Sequence, residues 1–166
     1  MMMRRNRVLA AGAIALVMAM VSTHPAIAAT ATANLNVTAT VLASCTVSNA
    51  TLAFGNYDPT GGNVDQSATL QVACTKGTPA TVGLNTGVNA SGSTRRMGNG
   101  TDFLAYELYK EAGRTNVWGN AGSDLISLAA AASNAAQTLT VYGRVTGLQD
   151  VSVGSYTDTV IVTVTF

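Results

Sequence analysis

Residues 156–166 alternate with a period of two. Val160, Val162, Val164 and Phe166 fall on one face, and Thr157, Thr159, Thr163 and Thr165 on the other, with Ile161 the single apolar residue among them. Such alternation in β-branched residues is the signature of a half-buried strand, because successive side chains of an extended chain point to opposite faces. No turn signal and no partner strand follow it. A second alternating segment precedes the first cysteine: Ala31, Ala33, Leu35, Val37, Ala39, Val41 and Ala43 share one parity, and Thr30, Thr32, Asn34, Asn36, Thr38 and Thr40 the other. A strand with nothing after it and a strand with no obvious home lead to the expectation of a fold completed between molecules.

Residues 1–28 read as an export signal. Arg4, Arg5 and Arg7 form a positive start, residues 8–21 are apolar, and Ala26-Ile27-Ala28 supplies the small residues a signal peptidase requires, placing the cut before Ala29. A retained anchor would need roughly 20 apolar residues, and this run is shorter and followed by Ser22, His24 and Pro25. The processed chain is therefore expected to be exported and soluble, with no membrane insertion. It keeps 138 residues (166 less 28), enough for one domain and a modest core. Six basic residues stand against eight acidic ones, a net charge of −2, and the only histidine, His24, is removed. A weakly acidic surface without basic clusters argues against nucleic acid as a partner.

The two cysteines, Cys45 and Cys74, travel to an oxidising compartment, where an even count in a small domain reads as a disulfide. Closing that loop stabilises by about 3–4 kcal/mol in the chain-entropy picture. Two free thiols are the alternative, and a metal site lacks the further histidine or cysteine it would need. Further strands are expected at residues 52–57, 67–74, 80–85, 103–109 and 138–145, with a turn at 58–62 where Pro59, Gly61 and Gly62 disfavour continuation. Residues 86–101 read as a polar loop in which Arg95 and Arg96 are solvated, and Trp118 as a core or loop anchor. Residues 124–137 fit either a short helix capped by Asp124 or a loosely packed edge strand. Seven or so short strands with regular turns and no long helical pattern imply an all-β sandwich.

Catalytic chemistry is not written in this chain. Without a histidine no Ser-His-Asp or Cys-His arrangement can form. Asp102, Glu107 and Glu111 lie near one another in sequence, but Asp102 and Glu107 have opposite parity on a strand. No phosphate-cradling loop appears, and no cofactor or metal is expected. The sequons at Asn36, Asn49, Asn89 and Asn99 arise readily by chance in so Thr- and Asn-rich a chain.

Several short motifs occur in a fixed order: Cys45-Thr46-Val47, Leu52-Ala53-Phe54-Gly55-Asn56-Tyr57, Leu104-Ala105-Tyr106-Glu107-Leu108-Tyr109 with Trp118-Gly119, Val141-Tyr142-Gly143-Arg144-Val145, and Gly154-Ser155-Tyr156-Thr157-Asp158-Thr159-Val160. In these, residues 29–166 resemble the spore coat U domain family, which includes pilin subunits of archaic (Csu-type) chaperone–usher pili. The Ala-rich stretch 128–136 departs from the Gly-rich connection of that pattern. The resemblance implies an incomplete immunoglobulin-like β-sandwich of six strands, lacking the final strand, over residues 45–166, with a donor-strand extension at 29–44. It implies a surface pilus or fimbria subunit, exported through the periplasm, that supports adhesion and biofilm formation. Its partners would be identical or related subunits, a periplasmic chaperone and an outer-membrane usher. Such complementation is a form of β-augmentation, in which main-chain hydrogen bonds set affinity and alternate side chains fill pockets. Leu35, Val37, Ala39 and Val41 would be the donor side chains. Val160, Val162, Val164 and Phe166 would line the acceptor groove, with the Phe166 carboxylate held by basic residues of the chaperone. Single-domain length suggests a shaft subunit and not a tip adhesin. The competing reading is a self-contained secreted coat or binding protein with an intramolecular N-terminal strand.

Overall fold

A computed structural model describes Pro25 and residues 27–166. Most of the expected signal segment lies outside the described residues. The compact unit that carries the fold runs Thr40–Phe166. Its strands are β1 (Cys45–Val47), β2 (Val64–Cys74), β3 (Ala80–Leu84), β4 (Arg95–Gly98), β5 (Phe103–Tyr109), β6 (Ile126–Leu128), β7 (Gln137–Val145) and β8 (Val162–Thr165). One 3₁₀ turn, Gly122–Asp124, is the helical content of the described residues. One sheet has the order β1-β2-β7-β5-β4 and the other β6-β3-β8, with antiparallel pairing throughout. The immunoglobulin-like sandwich is thus built from eight strands where six were expected, and four of them, β1, β4, β6 and β8, are pieces of only three or four residues.

The core follows from the alternation. Leu104, Tyr106 and Leu108 of β5, Val141 and Val145 of β7, and Leu70 and Val72 of β2 turn inward from one sheet. Ala80, Val82 and Leu84 of β3 meet them from the other. Trp118 ties the two layers together. It is fully buried, its indole N–H donates to the Val82 carbonyl at 3.0 Å, and its backbone N–H donates to the Leu108 carbonyl at 2.8 Å. Cys45 and Cys74 face each other in the β1–β2 ladder and are joined by a disulfide.

Two expectations need correction. The expected loop 86–101 contains β4, and Arg95 is 2 % exposed rather than solvated. Its guanidinium donates to the carbonyls of Leu84 (2.9 Å), Trp118 (2.7 Å) and Asn85 (3.0 Å) and pairs with Glu107. A buried charge is tolerable when so fully partnered, and arginine has five N–H donors with which to do it. Residues 52–57 carry no ladder hydrogen bonds, so their alternation marks a packed extended segment and not a paired strand. Residues 27–44 are likewise without a strand, and Leu35 and Val37 are 88 % and 83 % exposed. Of the two options for 124–137, the edge strand is adopted at β6, beyond which Ala131 plugs into the core. The turn at 58–62 forms, closed by Gly61 N–H on the Asp58 carbonyl at 2.9 Å.

Candidate functional site

β8 has a partner on one edge only. In its antiparallel register, Thr81 faces Thr165, Gly83 faces Thr163, and Val82 faces Val164. Asn85 N–H donates to the Ile161 carbonyl at 3.1 Å and, in return, the Asn85 side-chain oxygen accepts the Ile161 N–H at 2.8 Å. Hydrogen-bonded pairs alternate along such a ladder, so Thr163 and Thr165 also turn their backbone groups toward β3. Val82 and Leu84 confirm that phase from the other side: the Val82 carbonyl accepts from Trp118, and Leu84 N–H donates to Gly119. The N–H and C=O of Val160, Val162 and Val164 therefore point to the open edge. Among the described residues no strand pairs with that edge.

Next to it lies a groove. Residues 50–57 run opposite residues 156–162, and the two walls are separated by a cavity of about 410 Å³. Leu52 and Phe54 form one wall, and Tyr156, Val160 and Val162 the other, while Leu70, Leu84, Tyr106, Leu108 and Val141 make the floor. A second cavity of about 670 Å³, lined by residues 52–57 and 151–156, adjoins it at Leu52, Phe54, Met97 and Tyr156. Gly143 lets the first wall come close, since a Cβ there would lie 2.8 Å from Phe54 Cζ and 3.0 Å from Leu52 Cδ1. Phe54 packs at a tilt on Tyr106, with ring centroids 6.0 Å apart. The site is thus a slot with an apolar floor and a row of unpaired peptide groups at its lip.

Its single carboxylate is already engaged. Asp158 accepts the backbone N–H groups of Val88 (3.0 Å) and Asn89 (3.1 Å) and the Tyr106 hydroxyl (2.7 Å). Burial, and then the hydrogen bond to Asp158, push the Tyr106 phenol far above its ordinary range. The other carboxylates considered earlier are spent on local structure. Asp102 accepts the Ser152 N–H at 3.0 Å, and Glu107 holds Arg95. Hydrogen bonds from Thr115 and Asn116 draw Glu111 down to about 2. Among the described residues no group of His, Cys, Asp and Glu is placed to hold a metal ion.

The expected site residues divide. Val160 and Val162 line the cavity, Val164 packs on the core beyond it, and Phe166 is 56 % exposed past the end of β8. Leu35, Val37, Ala39 and Val41 share an exposed, unpaired segment. The opposite wall, Leu52 and Phe54 with Gly143 beneath them, went unassigned in the sequence reading. The signal was available in Leu52, Phe54 and Gly143, which fall inside the quoted motifs, but a glycine accommodating a side chain from another strand leaves no mark in local periodicity.

Comparison with known proteins places these features in context. The profile of the Spore Coat Protein U domain matches residues 31–163. Protein U of Myxococcus xanthus is 40 % identical over 176 aligned positions, covering 95 % of this chain and 97 % of that protein. A crystal structure of the CsuC–CsuE chaperone–tip adhesion subunit pre-assembly complex, from archaic chaperone-usher Csu pili of Acinetobacter baumannii, is similar with a TM-score of 0.56 and 27 % identity. That similarity covers 76 % of this chain and 40 % of the solved chain.

Proposed function

The chain belongs to the Spore Coat Protein U domain family, and from that premise we propose that it is a structural subunit of a surface fibre. The single observation that carries the reading is the open edge of β8 beside an apolar slot. Unpaired strand edges next to exposed apolar surface are an aggregation hazard that folded proteins ordinarily cover. A strand laid between residues 50–57 and β8 would bond to the peptide groups of Val160, Val162 and Val164 and send alternate side chains into the cavities. Leu35, Val37, Ala39 and Val41 are one-parity apolar side chains on an exposed segment and supply such a strand. In this reading one chain's residues 29–44 complete the domain of the next, and a periplasmic chaperone covers the groove before an outer-membrane usher assembles the fibre. The similarity to a chaperone-bound pilus subunit supports the chaperone step. The proposed role is structural. Export through the periplasm, display at the cell surface, and service in adhesion and biofilm formation follow from it.

Expression of residues 29–166 with and without residues 29–41 tests the proposal. The longer form is expected to give SDS-resistant ladders that collapse on heating. The shorter form is expected to stay soluble only with a chaperone or an added peptide of residues 29–43. A full-length chain that remains monomeric indefinitely is the self-contained secreted protein instead.

A further inference from the structure

Asn99 is the one asparagine of the sequence that is followed by a glycine. The pair sits in the turn between β4 and β5, closed by the Asn99 N–H on the Asp102 carbonyl at 3.2 Å. The Asn99 side-chain oxygen accepts the backbone N–H groups of Thr101 at 2.9 Å and Asp102 at 2.7 Å. Two such donors polarise the amide carbonyl and meet negative charge that develops on its oxygen. Gly100 stands at φ +93, is exposed, and has nothing within 4 Å of where a Cβ would lie. Its nitrogen is unshielded by any side chain of its own, and among the described residues its N–H makes no hydrogen bond. Asn85 is the internal contrast. Its side-chain oxygen likewise accepts the N–H two residues on, that of Gly87 at 3.0 Å, but the residue after it is the β-branched Thr86.

The turn is also a tie. Asn99 Nδ2 donates to Ser152 Oγ at 3.3 Å, and Asp102 accepts the Ser152 N–H at 3.0 Å. A Cβ on Gly154 would lie 3.2 Å from the same Asn99 nitrogen, so residues 152–154 rest directly on this turn.

We propose that Asn99 is a site of spontaneous deamidation in the folded chain, and that its conversion unfastens residues 152–154 from the β4–β5 turn. The Gly100 nitrogen attacks Asn99 Cγ, its proton passes to water, and Asn99 Nδ2 leaves as ammonia, closing a cyclic succinimide. Water then adds to either ring carbonyl and breaks its bond to the ring nitrogen, giving aspartate or isoaspartate at this position. No oxidant or reductant is needed. Both products exchange the amide donor for a carboxylate beside Ser152, where the Asp102 carboxylate already stands. Isoaspartate also adds a methylene to the main chain of the turn. The site is independent of the strand-exchange reading.

The test follows residues 29–166 through prolonged warm incubation, as the natural chain, Asn99→Ser and Gly100→Ala. Peptide mapping reads the mass change when NH is replaced by O, and enzymatic methylation of the freed α-carboxylate reads isoaspartate. The folded natural chain should gain both signals at Asn99 and neither at Asn85. Gly100→Ala should slow conversion about tenfold, because a Cβ shields the attacking nitrogen. Asn99→Ser keeps an oxygen for the turn N–H groups, but it cannot close the ring and should lose the methylation signal altogether. The converted fraction, separated by its added charge, should lose protection of the Ser152 amide in hydrogen exchange. The proposal is overturned if the folded chain keeps Asn99 intact while the same chain in urea converts it. It is also overturned if Asn99→Ser is methylated as strongly as the natural chain. A converted fraction whose Ser152 amide stays as protected as before overturns the release of residues 152–154.

Discussion

Strand β7 is hydrogen-bonded along both edges, to β2 on one side and to β5 on the other, whereas among the described residues β8 is bonded along one edge only. Both strands alternate apolar and polar residues, and both turn valines toward the core. Val141 and Val145 of β7 are buried, while Val160, Val162 and Val164, in and just before β8 in the other sheet, are half-buried beside an open slot. The difference lies in what stands next to each strand and not in the strand's own pattern. Complete pairing gives β7 a structural role. Incomplete pairing leaves one row of β8 peptide groups without a strand partner among the described residues.

Substitutions should separate the closed half from the open half. The largest effect belongs to Trp118→Ala, which empties the fully buried anchor between the layers and leaves the Val82 carbonyl without its donor. It should cost about 3–5 kcal/mol in urea denaturation. Gly143→Ala acts on the wall between the halves. Its Cβ meets Phe54 and Leu52 at 2.8–3.0 Å, so residues 52–54 must shift, at a cost of about 1–3 kcal/mol and with weaker capture of the 29–43 peptide. Val162→Ala should reverse that balance. A half-buried valine at an open edge contributes roughly 1 kcal/mol or less to the empty domain, so most of the loss should appear in peptide affinity. If Val162→Ala destabilises the empty domain as much as Trp118→Ala does, the contrast between the halves fails.

The smallest effect is electrostatic and lies away from the groove. Glu111 is held near 2 by hydrogen bonds from Thr115 and Asn116. Its pKa is depressed on folding, so its contribution is present above the unfolded value of about 4.3 and is lost as pH falls toward about 2. Glu111→Gln should flatten that part of the profile of melting temperature against pH and leave peptide capture unchanged. The group is solvent-exposed, so the change is expected to be slight.

The strands that close the sandwich were legible because their alternation reports which face is buried. Residues 103–109 and 138–145 were located almost to the residue, and Cys45 and Cys74 were matched by compartment and count. Arg95 was misread because a charged residue among Gly, Asn and Ser looks solvated. Only the folded chain brings the carbonyls of Leu84, Asn85 and Trp118 around it. Residues 52–57 alternate as a strand does, yet they pack without a ladder, since periodicity reports faces and not partners. The same limit applies to the groove. Val160, Val162 and Val164 could be picked out from one strand, but the facing wall of Leu52 and Phe54 depends on Gly143 of β7, which lies in the other sheet from β8 and far in sequence from Leu52 and Phe54.

Amide hydrogen exchange along the last strand tests the central claim most directly. In the chain held monomeric at low concentration, the amides of Ile161, Thr163 and Thr165 should be protected and those of Val160, Val162 and Val164 should exchange freely. Adding the peptide of residues 29–43 should protect the three valine amides and leave the other three as they were. Valine amides already protected in the monomer, or unchanged by the peptide at saturation, would contradict the account.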